Sequence, residues 1–285
     1  MREPMQMQRP TSILCPNCRK LISAGEARCP HCGISRPGSG WKRVFSTGFF
    51  RGMDQFAVWI IYANVGMYLL SLALRPSAIH VTLSPFAMLS PSSESLYLLG
   101  ATGTIPVFQA GRWWTLISAN YLHGSLIHIV FNMLAFRFLA SIVQEEYGTY
   151  RMFCIFALGG LVGYLVSLFA GVRLTIGASA SVCGLMGAVL YYGKSRGGMH
   201  GQVLYKQMGG WALGMFLFGF LIPGINNWAH GGGLLAGAGL GALLGYGERV
   251  RENLFHKVLG LGCMLITAAV LAWAVLSGFL FRLLS

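Results

Sequence analysis

Two groups of side chains in this sequence have types and spacings that suggest chemistry. The first is a set of thiols: Cys15-Pro-Asn-Cys18 and Cys29-Pro-His-Cys32 are two CxxC turns separated by ten residues. Two tight turns that each supply two thiolates meet zinc's demand for four soft tetrahedral ligands, so one structural zinc on Cys15, Cys18, Cys29 and Cys32 is expected. The second group is polar within strongly apolar surroundings: His123, His128 and Asn132, then Ser179 and Ser181 in Gly177-Ala178-Ser179-Ala180-Ser181, then Asn226, Asn227 and His230. A serine hydroxyl beside an imidazole is the pairing that allows nucleophilic attack with general-base help. Taken singly, each has a plainer use. A serine in a glycine-rich helix usually bonds a backbone carbonyl or permits close packing, and a lone buried histidine usually ties two helices together.

The elements that must position these groups follow from composition. The chain has 285 residues, of which 55% are hydrophobic and only 10% charged, against roughly 25% charged in soluble domains. Mean hydropathy is +0.60, and the 39 glycines suit closely packed membrane helices. The expected fold is therefore an all-α polytopic membrane protein. Apolar stretches of bilayer-spanning length recur at about 55–75, 124–144, 151–171, 178–195, 208–223, 227–246 and 259–281, the fifth being the shortest. Lys and Arg cluster before the first span and after the second, fourth and sixth, which places the N-terminus in the cytoplasm. A disulfide is disfavoured on that reducing side. The connection 76–123 is too apolar for a free aqueous loop and is expected in the outer interface, where Trp113 and Trp114 would be at home.

With that topology the second, fourth and sixth spans run from outside to inside, so His128, Ser179 and His230 share one depth. His230-x-x-Gly233-x-x-x-Gly237-x-x-x-Gly241 gives the sixth span a glycine face, and Gly184 with Gly187 gives the fourth a similar one. Close approach of these faces would bring Ser179 within hydrogen-bond reach of His230. Positions two apart on a helix differ by about 200°. Ser181 would then point away from the pair, and its replacement by Ala is expected to leave most activity intact.

Four motifs in this order resemble the rhomboid intramembrane serine proteases over about residues 52–250. They are Trp114 followed by Leu116-Ile117-Ser118-Ala119-Asn120-Tyr121-Leu122-His123-Gly124, His128-Ile-Val-Phe-Asn132, Gly177-Ala178-Ser179, and Ala229-His230-x-x-Gly233-x-x-x-Gly237. The resemblance implies Ser179 as nucleophile, His230 as general base, and His128 with Asn132 as oxyanion donors. It also implies a six-helix core over 55–250, to which this chain adds a C-terminal helix (251–285), a basic linker (41–54) and the zinc-ribbon-like module (1–40). The departures are Ala180 where Gly commonly follows the nucleophile, Trp114-Thr115 with Arg112 displaced from the usual Trp-Arg pair, and Cys183 in place of an aromatic. The acids agree with a dyad, because only Glu94 is near the outer face and Asp54 is the only Asp. An HExxH metal site is absent.

The function expected is an intramembrane serine endopeptidase that needs no cofactor for catalysis. A catalytically silent rhomboid-like protein binding membrane clients is the alternative, and a transporter is disfavoured by the lack of membrane carboxylates. Expected partners are membrane-protein substrates and the lipid bilayer, with protein or anionic lipid rather than nucleic acid at the zinc module. The absence of an evident organellar leader points to a bacterial-type plasma membrane.

Overall fold

The computed structural model of the protein describes residues 12–15, 20–23, 25–33, 35, 53–76, 88–222 and 224–284. The chain forms two compact units, Met1–Asp54 and Gln55–Ser285.

The first unit is built on a small antiparallel hairpin. Strand β1 (Ser12–Leu14) pairs with β2 (Leu21–Ser23), Ile13 opposite Ile22. Cys15 follows β1 directly, and its N–H donates to the Lys20 carbonyl at 2.9 Å. Cys29 opens a turn closed by the Gly33 N–H on its carbonyl, with Gly33 at φ +75°. Cys15, Ile22 and Cys29 are buried together and form the centre of this unit.

The second unit is helical. Its long helices are α1 (Gln55–Leu74), α4 (Leu126–Tyr147), α5 (Thr149–Phe169), α6 (Ser179–Arg196), α7 (Gly198–Leu221), α8 (Asn227–Leu244) and α9 (Leu254–Leu284). Between α1 and α4 lie the short helices α2 (Ser93–Leu98) and α3 (Thr115–Ser118), a wide turn at Ile105–Gln109 and a tight turn at Ala119–Tyr121. All seven expected spans contain a long helix. Four of these stretches, α1, α4, α5 and Leu254–Arg282 of α9, are long and apolar enough to cross a membrane on length and composition. Helices α6, α7 and α8 are comparably long but diluted with glycine and polar residues. The fifth span is a correction: instead of being the shortest, it is the 24-residue α7, starting at Gly198. Its first turns hold glycines, Gln202 and Lys206, which read as loop. Lys206 is exposed there, and a long cationic stem at a helix end reaches water easily.

Helices α5, α6 and α8 make the densest packing in this unit, and the reason is the absence of side chains. A Cβ on Gly237 would overlap the Gly184 carbonyl of α6, and one on Gly233 would overlap the Ala180 carbonyl. On α5, a Cβ on Gly163 would lie 2.6 Å from the Ala229 carbonyl oxygen, and one on Gly159 3.1 Å from the Gly184 Cα. Three backbones thus meet without intervening side chains, the packing mode that small residues allow in membranes. The pairs 180 with 233, 184 with 237 and 188 with 241 advance together, so α6 and α8 are parallel and their N-termini lie side by side.

The apolar connection is folded against the bundle. Leu96, Leu98, Leu99, Val107, Leu116, Ala119 and Leu122 are all buried, while Phe108 and Trp113 stay exposed and stack edge to face with centroids 5.9 Å apart. Residues 77–87 of this connection fall outside the described residues. At the opposite end of the bundle, Arg151 is 1% exposed, and its Nη1 donates to the carbonyls of Leu244, Gly245 and Val250 at 3.3, 2.6 and 2.9 Å. The Glu252 carboxylate in turn accepts from the N–H groups of Tyr150 and Arg151. One end of α8 and the start of α5 are capped by this exchange.

Candidate active site

Each polar group identified in the sequence has a local reason for its place. Ser125 caps α4 by accepting from the His128 N–H at 3.3 Å, which sets His128 in the first turn. Asn226 caps α8: its oxygen accepts from Ala229 N–H at 3.1 Å, and its amide donates to Ser167 Oγ at 2.6 Å and Thr175 Oγ1 at 3.0 Å. That cap ties the start of α8, and so His230, to the end of α5 and the lead-in to α6. Ser179 is the first residue of α6, which has no side-chain cap, so its first-turn N–H groups remain free to meet an anion.

His230 Nε2 and Ser179 Oγ are 2.9 Å apart. Ser179 is partly exposed, whereas the His230 ring is 6% exposed, so a reagent can reach the hydroxyl while the imidazole is shielded from bulk water. His230 Nδ1 has no partner among the described residues. If Nδ1 carries the ring hydrogen, Nε2 is the acceptor for the serine proton.

His128 has the opposite tautomer. The Gly124 N–H donates to its Nδ1 at 3.3 Å, so the hydrogen sits on Nε2. That Nε2 is 2.9 Å from where a Cβ would project from Gly177, and Ser179 Oγ is 3.7 Å from the same point. The absent Gly177 side chain therefore leaves a gap between an N–H donor and the hydroxyl, in a backbone with φ +121° that L side chains rarely adopt. The Tyr164 hydroxyl holds the Gly177 carbonyl at 2.6 Å. Asn132 uses one amide hydrogen on the His128 carbonyl at 2.9 Å and retains a second donor.

Ser181 points the other way, as the helical spacing requires, and its Oγ donates to Asn120 Oδ1 at 2.8 Å. Cys183 lies one turn below Ser179, with its sulfur 3.4 Å from Met215 Sδ on α7. The Ala180 methyl is directed away from the hydroxyl into a core cluster with Ala119, Leu116, Tyr164 and Ala229. Arg112, although displaced, still anchors the connection. Its guanidinium donates to the carbonyls of Tyr97 and Leu98 at 2.8 and 3.0 Å and lies 4.7 Å from the Tyr97 and Trp114 ring centres. Burial pushes the Tyr121 phenol above its ordinary value, against a smaller opposing pull from a hydrogen bond with Thr267 of α9. Sequence reasoning gave no role to Asn120 or Tyr164 and marked Arg112 only as displaced; a lone Asn three residues before His123, in an apolar stretch, was the available signal for the first.

In the first unit, the sulfurs of Cys15, Cys29 and Cys32 lie within 4.8 Å of one another, and Cys15 Sγ to Cys32 Sγ is 3.6 Å. Thiolates about 2.3 Å from a tetrahedral zinc would be about 3.8 Å apart, so this spacing fits. Cys18, the expected fourth ligand, is outside the described residues.

Residues 110–247 match the Rhomboid domain family model. The chain is 35% identical over 169 residues to RHOMBOID-like protein 6, mitochondrial, of Arabidopsis thaliana, covering 56% of this chain and 52% of that protein. It is 30% identical over 181 residues to Rhomboid protease GluP of Bacillus subtilis, covering 64% and 35%, and 28% identical over 238 residues to Rhomboid-like protease 3 of Toxoplasma gondii, covering 81% and 84%. The chain thus spans about half or less of the length of the first two and most of the third. Matched in sequence from Ala110 to Gly247, and built there from membrane-type helices, the chain carries a Rhomboid domain.

Proposed function

We propose that this integral membrane protein is a serine endopeptidase that cuts membrane-protein substrates with Ser179 as nucleophile and His230 as base. The observation that carries this reading is the 2.9 Å contact between Ser179 Oγ and His230 Nε2 at one end of the bundle. His230 takes the hydroxyl proton as Oγ attacks a peptide carbonyl, then gives it to the leaving amine so that the C–N bond breaks. Water, deprotonated by the same Nε2, attacks the acyl-enzyme and releases Ser179. The carbonyl oxygen becomes negative in both steps. It is met by the His128 Nε2–H, by the first-turn N–H groups of α6 and by the second amide hydrogen of Asn132. The N-terminal thiols hold a structural zinc, Cys18 completing the set with Cys15, Cys29 and Cys32, and this metal takes no part in peptide cleavage. The dyad lies toward the outside of a bacterial-type plasma membrane and the thiols in the cytoplasm, following the distribution of Lys and Arg.

A fluorophosphonate probe tests the reading. It should label the detergent-purified protein once, at Ser179, and labelling and cleavage of a model membrane substrate should both vanish in Ser179→Ala and His230→Ala. An unlabelled, inactive wild-type protein would favour the client-binding alternative.

A further inference from the structure

We infer that Asn120 and Ser181 form a latch that fixes the first turn of α6 and thereby sets the position of Ser179. This inference rests on the reading of Ser179 as nucleophile. Neither residue touches the reacting atoms; both are positioning residues.

The turn that carries Ser179 is tied to the segment before α4 at two points. The Gly177 N–H donates to the Ala119 carbonyl at 2.9 Å, and Ser181 Oγ donates to Asn120 Oδ1 at 2.8 Å. The Asn120 amide nitrogen is occupied by the carbonyls of Leu116 and Ile117 at 3.1 and 3.4 Å, which orients the oxygen toward Ser181. Ser181 is fully buried and Asn120 3% exposed. A serine in a glycine-rich helix would ordinarily satisfy itself on its own backbone, whereas this one bonds a side chain 61 residues earlier. Gly160 of α5 makes room for the pair, since a Cβ there would overlap both Ser181 Oγ and Asn120 Oδ1.

Packing against Gly160 covers only one side of the pair. A cavity of about 110 Å³ lies behind the pair, lined by Asn120, Ser181, Tyr121, Phe156, Cys263 and Thr267. On that side the hydrogen bond, and not a packed side chain, restrains the first turn of α6. The segment that holds the acceptor leads within eight residues to His128. The latch therefore registers the hydroxyl against the Nε2–H that meets the oxyanion. A misplacement of about 1 Å can cost on the order of 10²-fold in rate, and partial loss of one restraint should cost less. This revises the expectation that Ser181→Ala is nearly silent.

The test uses the full chain as Ser181→Ala, Asn120→Ala and the double variant, with Ser179→Ala as reference. Two quantities are read: kcat and KM for a model membrane substrate, and the ¹⁵N resonance of His230 Nε2 in histidine-labelled protein. The latch predicts a fall in kcat of about tenfold with KM within about twofold. It also predicts a His230 resonance displaced toward its Ser179→Ala position, and a double variant no worse than the poorer single one. If Asn120→Ala does not fold, Ser181→Ala alone decides. Wild-type kcat with an unmoved His230 resonance in a folded Ser181→Ala protein overturns the latch, as does a drop in Tm alone. If wild-type protein does not cleave yet Ser181→Ala displaces the resonance, the latch stands and the protease reading falls.

Discussion

His128 and His230 are both imidazoles near one serine, and the proposed reaction asks opposite tasks of them. The Gly124 N–H on His128 Nδ1 makes the far nitrogen a donor, while the proposed reaction requires His230 Nε2, 2.9 Å from Ser179 Oγ, to be the acceptor. His128→Ala should therefore lower kcat by on the order of 10² to 10³, the loss expected for one oxyanion donor, with little change in KM. His128→Gln, which retains an N–H donor of similar reach, should recover part of that loss in the same cleavage assay. The placement of Ser179 and Ser181 was legible from helical spacing alone, since two residues differ by about 200°. The tautomer of His128 was not, because it depends on a backbone N–H whose direction is set by the turn at Gly124. Arg112 was misleading for a related reason. Its displacement from the usual pair stood out as a departure, but a long guanidinium can reach the Tyr97 and Leu98 carbonyls from another backbone position.

At the scale of elements, glycines at equal sequence spacing are not equivalent. Gly237 of α8 faces the Gly184 backbone, whereas Gly239 has nothing within 4 Å of its missing Cβ. Gly237→Ala must push two helices apart, because the obstacle is a carbonyl and not a movable side chain. It should destabilise by about 1–3 kcal/mol or more and lower Tm in detergent. Gly239→Ala should be neutral or slightly stabilising, by up to about 1 kcal/mol, as a helix interior gains from losing glycine. The sequence showed the glycine face of α8 but not which α5 residues complete it, since Gly159, Gly160 and Gly163 serve different neighbours. A second element-scale prediction concerns Arg151. Arg151→Met would leave the Leu244, Gly245 and Val250 carbonyls without this donor. A loss on the order of 3 kcal/mol is expected, since each buried unpaired group costs roughly 1–3 kcal/mol. Glu252→Gln keeps an acceptor for the α5 N–H groups and gives up only the charge, so thermal unfolding should show a smaller loss of about 0.5–1 kcal/mol.

Across the whole molecule, the thiol unit and the rhomboid domain are separate compact bodies, and their chemistries should separate as well. A Cys15→Ser, Cys29→Ser variant should lose its zinc, read by metal analysis of purified protein, while the folded membrane unit keeps cleaving a model substrate. Zinc content equal to that of wild type would remove the assignment. The membrane class was readable from composition, because so few charges cannot cover a soluble surface. The start of α7 was not, because Gly198 through Gln207 carry the residues of a loop and become helix only by packing, with Gly193 of α6 against Gly201 and Tyr205. Seven long helices lie among the described residues, and the last ends where the first does, the Arg282 guanidinium donating to the Ala73 carbonyl. Gln55 and Leu284 therefore lie at opposite ends of the bundle, with the far end of α9 beside Leu98 and Leu99 of the connection between α1 and α4. A reporter fused after Leu284 would then mark the compartment at that end, and one inserted just before Gln55 would mark the other. The two ends of the helical unit would thus distinguish the two sides of the membrane without any further label.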